Sequence, residues 1–124
     1  MFELSKQFRF DAAHQLDCEV NTERNRRIHG HSYRAEVTVR GLPDPKSGMI
    51  VDLGLFKQKL EEARQALDHH FLNDIPDLGP GTLENLSKWI WLRLEPAFVN
   101  LAIVTVYRDS SGERCSYFGP QFKP

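Results

Sequence analysis

The sequence has little of several features that would assign it to a class at once. It has only two cysteines, Cys18 and Cys115, which stand far apart in the chain. No apolar run approaches the roughly 20 residues that a membrane-spanning helix needs. The first residues lack the charged-then-apolar layout of a signal peptide. We therefore expect a cytoplasmic protein with reduced thiols and no membrane partner.

An excess of charge of one sign is also missing. The chain has 16 Lys and Arg against 17 Asp and Glu, a formal net charge of -1. The basic surplus that nucleic acids and anionic membranes attract is therefore absent, and we expect no nucleic-acid partner. The 124 residues contain no repeats, linkers or low-complexity segments. They are predicted to form a single domain, residues 1–124.

What the sequence does have is a His-Gly-His segment that leads into a strand-like pattern. Apolar and polar residues alternate over residues 33–40, which is typical of a half-buried strand. When this alternation is extended toward the N-terminus, His29 and His31 lie on the same face as the apolar residues. Apolar residues also share one parity in a first predicted strand, residues 2–11, and His14 continues that parity. Three of the five histidines are therefore predicted to converge on one inner surface.

These three residues, His14, His29 and His31, are called the histidine trio below. A single histidine on an apolar face is more simply a hydrogen-bonded core residue, but three on matching faces favour a metal site. Three neutral imidazoles without a fourth protein ligand suit Zn²⁺ with one open position, the arrangement of catalytic zinc. The open position can polarise a substrate oxygen or lower the pKa of a bound water.

The remaining pattern predicts two helices between two pairs of strands. Asp52 and Thr82 are suitable N-caps, and each precedes an apolar stripe at helical spacing. Residues 49–51 are predicted to form a short apolar strand or strand end, and residues 101–109 and 114–118 two further strands. This order favours an α+β fold, an antiparallel sheet with both helices on one face. The uncovered face of such a sheet favours oligomerisation.

Further residues could take part in catalysis or ligand binding, but each also has a simple structural interpretation. Asp68 could orient His69 as a proton shuttle, or His69 could simply interact with the negative end of the preceding helix. Asp109 could bind the N–H groups of a ligand, although it is more simply the first residue of a turn over residues 109–112. Glu84, in the first turn of the second helix, is most simply a carboxylate that compensates the helix dipole.

With these residues in view, the chain resembles the 6-pyruvoyl-tetrahydropterin synthase / 6-carboxytetrahydropterin synthase family. The resemblance rests on six segments in family order, residues 10–16, 29–33, 48–53, 67–73, 82–86 and 106–117. It implies the tunnelling fold, a four-stranded antiparallel sheet plus two helices whose subunits close into a barrel. It also implies a homo-oligomer, a trimer or hexamer, with active sites between subunits.

The resemblance also implies roles for single residues. The histidine trio would bind zinc, which would hold the side-chain oxygens of a reduced pterin such as dihydroneopterin triphosphate. Asp68 and His69 resemble the family's proton relay. Asp109 matches the carboxylate that binds the pterin edge, where the family usually has the longer glutamate. Thr82 and Glu84 lie in the stretch that lines the pterin pocket in family members.

One position departs from the family. The proton-abstracting cysteine of the family stands four residues before the His-Gly-His segment, and this chain has Asn25 there, which cannot act as a base. Cys18 lies in the same predicted polar loop, residues 17–27, and a thiol beside zinc would have a lowered pKa. Cys18 is therefore a candidate base or a bystander. Glu23 is a further candidate, because some relatives use a glutamate in this loop.

These observations leave more than one function open. The leading hypothesis is a zinc-dependent lyase resembling 6-carboxytetrahydropterin synthase, which converts 7,8-dihydroneopterin triphosphate on the route to queuosine and other deazapurines. A second is a paralogue with altered pterin chemistry, such as aldol-type cleavage of dihydroneopterin. A third is a pterin- or zinc-binding protein without turnover, which Asn25 keeps open.

Overall fold

Five strands form one sheet in the computed structural model, which describes residues 1–120. They are β1 (Phe2–His14), β2 (His29–Gly41), β3 (His70–Phe71), β4 (Leu101–Arg108) and β5 (Glu113–Tyr117). Their order across the sheet is β3-β1-β2-β4-β5. The pairs β1–β2, β2–β4 and β4–β5 are antiparallel, as predicted. The two-residue β3, parallel to β1, was not predicted and makes a fifth strand.

Two long helices separate the strand pairs, as the apolar stripes predicted. They are α2 (Leu53–Leu67) and α3 (Leu83–Leu94). The Asp52 carboxylate accepts from the amides of Gly54 and Leu55 at 2.8 and 3.1 Å. The Thr82 hydroxyl accepts from the Asn85 amide at 3.2 Å. Both predicted N-caps are therefore confirmed.

The segment between β1 and β2 contains a short helix, α1 (Thr22–Arg26), where the sequence predicted only a loop. Hydrogen bonds tie it to the end of β1. The Leu16 amide donates to the Asn25 carbonyl at 2.8 Å, and the Gln15 side chain donates to the Arg26 carbonyl at 3.0 Å. These contacts fix α1 next to the strand ends that carry the histidine trio.

The core lies between one face of the sheet and the helices α2 and α3. Because side chains alternate between the two faces of a strand, this inward face carries the even-numbered residues of β1 and β4 and the odd-numbered residues of β2. Ala35, Val37 and Val104 on the sheet and Phe56 and Leu86 on the helices are fully buried. Burial of apolar side chains of this kind stabilises the fold by roughly 1.5–3 kcal/mol each for the larger ones.

The strand predicted for residues 49–51 is wrong, because the backbone bends at Ile50 and Val51. The Ile50 carbonyl accepts from the side chain of Asn100 at 2.9 Å, so a side-chain amide takes the place of a neighbouring strand. Both apolar side chains still pack against the core. Apolar character alone therefore did not distinguish a strand from a bend that contributes to the core.

The outward face of the sheet is polar and its side chains pair across the strands. Ser5 and Thr38 hydroxyls lie 2.7 Å apart, and the Gln7 amide donates to Glu36 at 2.8 Å. No helix covers this face within residues 1–120. None of the helices in that part of the chain is both long enough and apolar enough to cross a membrane.

Candidate metal centre

The histidine trio converges at the end of the β1–β2 pair, on the inward face. His14 lies directly opposite His29 in the antiparallel register, and Ala12 lies opposite His31. One ligand nitrogen from each ring lies within 4.8 Å of the others. The three ring centroids are 4.5 to 5.0 Å apart. His14 is buried, whereas His29 and His31 are partly exposed, which leaves one side of the cluster accessible.

Backbone carbonyls orient two of these rings. His14 Nδ1 lies 2.9 Å from the Gly81 carbonyl oxygen, and His29 Nδ1 lies 2.8 Å from that of Arg27. Because a carbonyl only accepts, each Nδ1 carries the proton and each Nε2 keeps its lone pair. Such a partner behind the ring is what metal-bound histidines almost always have.

The two free nitrogens face each other, with His14 Nε2 and His29 Nε2 only 2.9 Å apart. Two lone pairs at this distance repel unless a proton or a cation lies between them. Burial lowers the pKa of His14, which disfavours the proton. The donor set therefore fits a metal ion, and these three residues could hold one.

Arg108 stands beside the trio, and sequence reasoning missed it. Its Nη1 lies 3.4 Å from His31 Nε2, and its Nε donates to Ser111 and Glu113 at 2.9 and 3.0 Å. Burial and then the Arg108 charge lower the pKa of His31 to about 4, so this ring is neutral near pH 7. The sequence does contain a signal for this position. Arg108 lies four residues after the buried Val104 on β4 and therefore shares its inward face.

Tyr33 lies on the inward face directly after the trio. Its ring stacks on Phe10 with centroids 5.0 Å apart and lies 5.9 Å from the ring of His31. Its hydroxyl is buried without a hydrogen-bond partner in the described part of the chain. Burial raises the pKa of Tyr33 to about 12. The Arg108 guanidinium acts against this rise, so it lies near the buried hydroxyl and beside the candidate metal centre.

Asp68 and His69 form a hydrogen-bonded pair at the edge of the sheet beyond β1. Asp68 Oδ2 lies 2.9 Å from His69 Nδ1, and Asp68 Oδ1 accepts from the Asp11 amide at 2.9 Å. The Asp11 amide lowers the pKa of Asp68 most, and the hydrogen bond to Asp68 raises the pKa of His69. His69 has a left-handed backbone with φ of 58°. The pair is thus positioned by β1 and leaves His69 Nε2 accessible.

A cavity of about 480 Å³ lies next to this pair. His69 lines it together with Asp11 and Ser32, and His31 of the trio also borders it. The structure therefore places His69 of the predicted relay pair and His31, one predicted metal ligand, on the same cavity. The trio itself faces inward, whereas Asp11 and Ser32 belong to the outward face.

Asp109 also lies on the outward side, where it is bound by arginine. Both carboxylate oxygens accept from Arg34 at 3.0 Å, and Arg9 lies 3.8 Å away. Arg34 in turn stacks over Tyr107, with its guanidinium carbon 3.7 Å from the ring centroid. The Arg34 hydrogen bonds lower the pKa of Asp109. The turn predicted from Asp109 is confirmed, with Gly112 at φ of 72°.

The other predicted residues lie on the opposite side of His14 and around α1. Cys18 and Thr82 line a cavity of about 360 Å³, and Glu84 is exposed in the first turn of α3. The Asn25 side chain donates to the carbonyl of Asn21 at 3.0 Å, so it holds the α1 segment together. Glu23 pairs with Arg27 at 3.0 Å.

The fold and the site define an α+β protein of the tunnelling-fold type with a three-histidine cluster that could hold a metal. The family model described as 6-pyruvoyl tetrahydropterin synthase matches residues 3–120. The chain therefore belongs to the 6-pyruvoyl tetrahydropterin synthase family.

Two relatives in this family match the chain at similar identity but over different lengths. The 6-carboxy-5,6,7,8-tetrahydropterin synthase of Synechocystis is 33% identical over 129 residues, which covers 100% of this chain and 98% of the relative. The human 6-pyruvoyl tetrahydrobiopterin synthase is 35% identical and covers 75% of this chain and 74% of its own length. The solved structure of the Caenorhabditis elegans 6-pyruvoyl tetrahydropterin synthase superposes with a TM-score of 0.82 at 25% identity, covering 96% of both chains.

Proposed function

We propose that this protein is a zinc-dependent lyase that converts 7,8-dihydroneopterin triphosphate to 6-carboxy-5,6,7,8-tetrahydropterin, on the route to queuosine and other deazapurines. The observation that carries the proposal is the inward convergence of the histidine trio, with the Nε2 lone pairs of His14 and His29 facing each other. The synthase from Synechocystis, which matches over the whole chain, supports this product over the pyruvoyl one.

The chain's own residues suggest how the site would work. Zinc bound by the trio would polarise a side-chain oxygen of the substrate and so acidify the neighbouring carbon-bound proton. Asp68 holds the proton of His69 on Nδ1, so Nε2 is the atom that accepts or returns a proton. Asp109 would bind the N–H edge of the pterin, and Arg34 fixes the direction of its carboxylate.

An oligomer is part of this proposal. In a single chain the Asp109 carboxylate is on the outward face, and the trio is on the inward face. A homo-oligomer, a trimer or hexamer, would let the relay or the pterin carboxylate of one subunit complete the metal site of another. The uncovered polar face and the edge strand β5 supply the surfaces for such an assembly.

A second candidate rests on Asn25, the residue at the position of the family's catalytic cysteine. Its side-chain amide is engaged by carbonyls of its own loop and has no basic atom. A protein without a base would bind a reduced pterin without turnover, or act on another pterin by aldol-type cleavage. The retained Asp68–His69 pair favours the enzyme over the binder.

The test is to incubate the zinc-loaded protein with 7,8-dihydroneopterin triphosphate and to follow products by mass spectrometry. We expect release of triphosphate and of the two outer side-chain carbons, with formation of 6-carboxytetrahydropterin, which keeps the first side-chain carbon as its carboxyl group. A pterin product that keeps this carbon as a hydroxymethyl group would instead establish the aldol-type reaction. Tight binding of the pterin with no product over many hours would establish the binder.

A further inference from the structure

A second cavity beside the histidine trio concentrates positive charge. It measures about 520 Å³ and is bordered by His29 and His31 at one end. Three arginines line it, namely Arg24, Arg27 and Arg108, and no acidic side chain lines it within residues 1–120. The whole chain has a net charge of -1, so this clustering is local and is not part of a generally basic surface.

The three arginines differ in their exposure. The Arg108 side chain is only 20% exposed, and its Nη1 lies 3.4 Å from His31 Nε2. Arg24 and Arg27 are exposed on and just after α1. Glu113 and Glu23 pair with Arg108 and Arg27 from outside the lining, so each guanidinium keeps N–H groups for a further acceptor.

The backbone fixes this arrangement to the metal centre. The Arg27 carbonyl accepts from His29 Nδ1, so the residue that orients one trio ring also lines the cavity. Arg26 does not line the cavity and pairs instead with Asp17 at 3.0 Å, an exposed ion pair that contributes little to the position of α1. A ligand group held by the trio would therefore have the three arginines within the same 520 Å³ space.

We propose that this cavity is the subsite for the phosphate chain of the substrate. Guanidinium groups bind phosphate oxygens through paired, charge-assisted hydrogen bonds, and several of them are needed to offset the charge of a triphosphate. Arg108 would neutralise the phosphate nearest the metal, and Arg24 and Arg27 the outer ones. This inference rests on the proposed function, since the phosphate chain belongs to the pterin whose side chain the trio would hold.

The test uses inorganic tripolyphosphate as the probe, with binding to the zinc-loaded protein measured by calorimetry at low salt. We expect Arg24→Gln with Arg27→Gln to weaken binding at least about tenfold, as loss of charged hydrogen bonds would do. Arg26→Gln is the matched control, because Arg26 is on the same helix but does not line the cavity; we expect it to bind within about twofold of wild type. Zinc content, measured before and after, corrects for chelation by the probe.

Equal affinities of the double variant and the Arg26→Gln control would overturn the subsite, as would the absence of binding. A single-stranded oligothymidine is the second arm, because it presents the same phosphate chemistry from another source. Binding of this strand with the same arginine dependence and equal affinity would also overturn the proposal.

Turnover assays keep the two proposals separate. Arginine-dependent binding of tripolyphosphate without turnover of dihydroneopterin triphosphate would refute the proposed function and leave the anion site. Turnover with a KM that the double variant does not change would refute the subsite and leave the function. We expect the double variant to raise KM at least about tenfold, with zinc content unchanged.

Discussion

His14 and His29 face each other across the β1–β2 pair with their Nε2 atoms 2.9 Å apart, and each ring is held from behind by a carbonyl oxygen. This relationship makes the pair a preformed part of the candidate metal site. The residues need not reorganise to bring two lone pairs to one point, so binding of a cation would mainly relieve repulsion that the fold already contains.

The first prediction concerns metal content. We expect the purified protein to hold about one zinc per chain and His29→Ala or His31→Ala to lose it, because three ligands are the minimum of a catalytic zinc site. His70→Ala is the control, since His70 lies outside the trio and bonds the Asp68 carbonyl. Elemental analysis after dialysis measures the stoichiometry. A wild-type protein free of zinc after expression in zinc-supplemented medium would contradict the site.

The second prediction concerns the unsatisfied hydroxyl of Tyr33. Removing a buried polar atom without a partner removes its desolvation cost, so Tyr33→Phe is expected to stabilise the metal-free protein by about 1 kcal/mol. Urea unfolding of the metal-free wild type and variant measures the difference. Tyr117→Phe is the comparison, because Tyr117 is only partly buried against Trp91. A destabilised Tyr33→Phe protein would show that the hydroxyl has a partner.

The third prediction concerns pH and the Asp68–His69 pair. The folded pKa of His69 is raised above its ordinary 6.5, first by the hydrogen bond to Asp68. The stabilisation is therefore fully present below pH 6.5 and is lost as pH rises through the folded pKa. His69→Asn, which tolerates the left-handed backbone, is expected to destabilise the protein more at about pH 5.5 than at about pH 9.

The reciprocal variant checks the cause of this pH dependence. Asp68→Asn removes the charge that holds the His69 proton, so it should remove most of the difference between the two pH values. Urea unfolding of the wild type, the two single variants and the double variant gives the four free energies of unfolding of the cycle at each pH. A His69→Asn effect of equal size at both pH values would show that the pair contributes no proton-linked stability.

The fourth prediction concerns the missing base. Cys18 borders the cavity that Thr82 also lines, whereas Glu23 is exposed and paired with Arg27. We therefore expect Cys18→Ala to lower kcat about 100-fold or more while zinc content stays unchanged, which is the usual loss for a general base. Cys115→Ala is the control thiol. Full turnover by Cys18→Ala would exclude Cys18, and Glu23→Gln would then be tested in the same assay.

The sequence was sufficient for those parts of the fold that depend on local periodicity. Alternation along β1 and β2 gave the direction of each side chain, and the antiparallel pairing then brought His14 opposite His29. The caps Asp52 and Thr82 were predictable because a capping side chain bonds amides only two or three residues away. The position of the histidine trio therefore follows from side-chain alternation along each strand and from the pairing of β1 with β2.

What the sequence could not supply depends on contacts between distant residues. The ion pair of Arg34 with Asp109 joins positions 75 apart, and neither residue signals the other. The same holds for β3, whose two residues pair with β1 beside the hydrogen bonds that join the Asp68 carboxylate and the His69 amide to Asp11. Arg108 has strand parity as its only sequence signal, and an arginine at the end of a strand is ordinarily exposed to solvent.

The carbonyl of Gly81 that orients His14 has a consequence for how this family member can vary. Because it is a main-chain group, it is kept when nearby side chains are exchanged, yet Gly81 itself has little room for a side chain. A β-carbon there would come within 3.0 Å of Leu72 and 3.4 Å of His14. Thr82, the next residue, is the N-cap of α3, so a displaced turn would disturb the start of this helix and the His14 imidazole together. Substitutions in this loop are therefore expected to change the affinity of the candidate site for a metal.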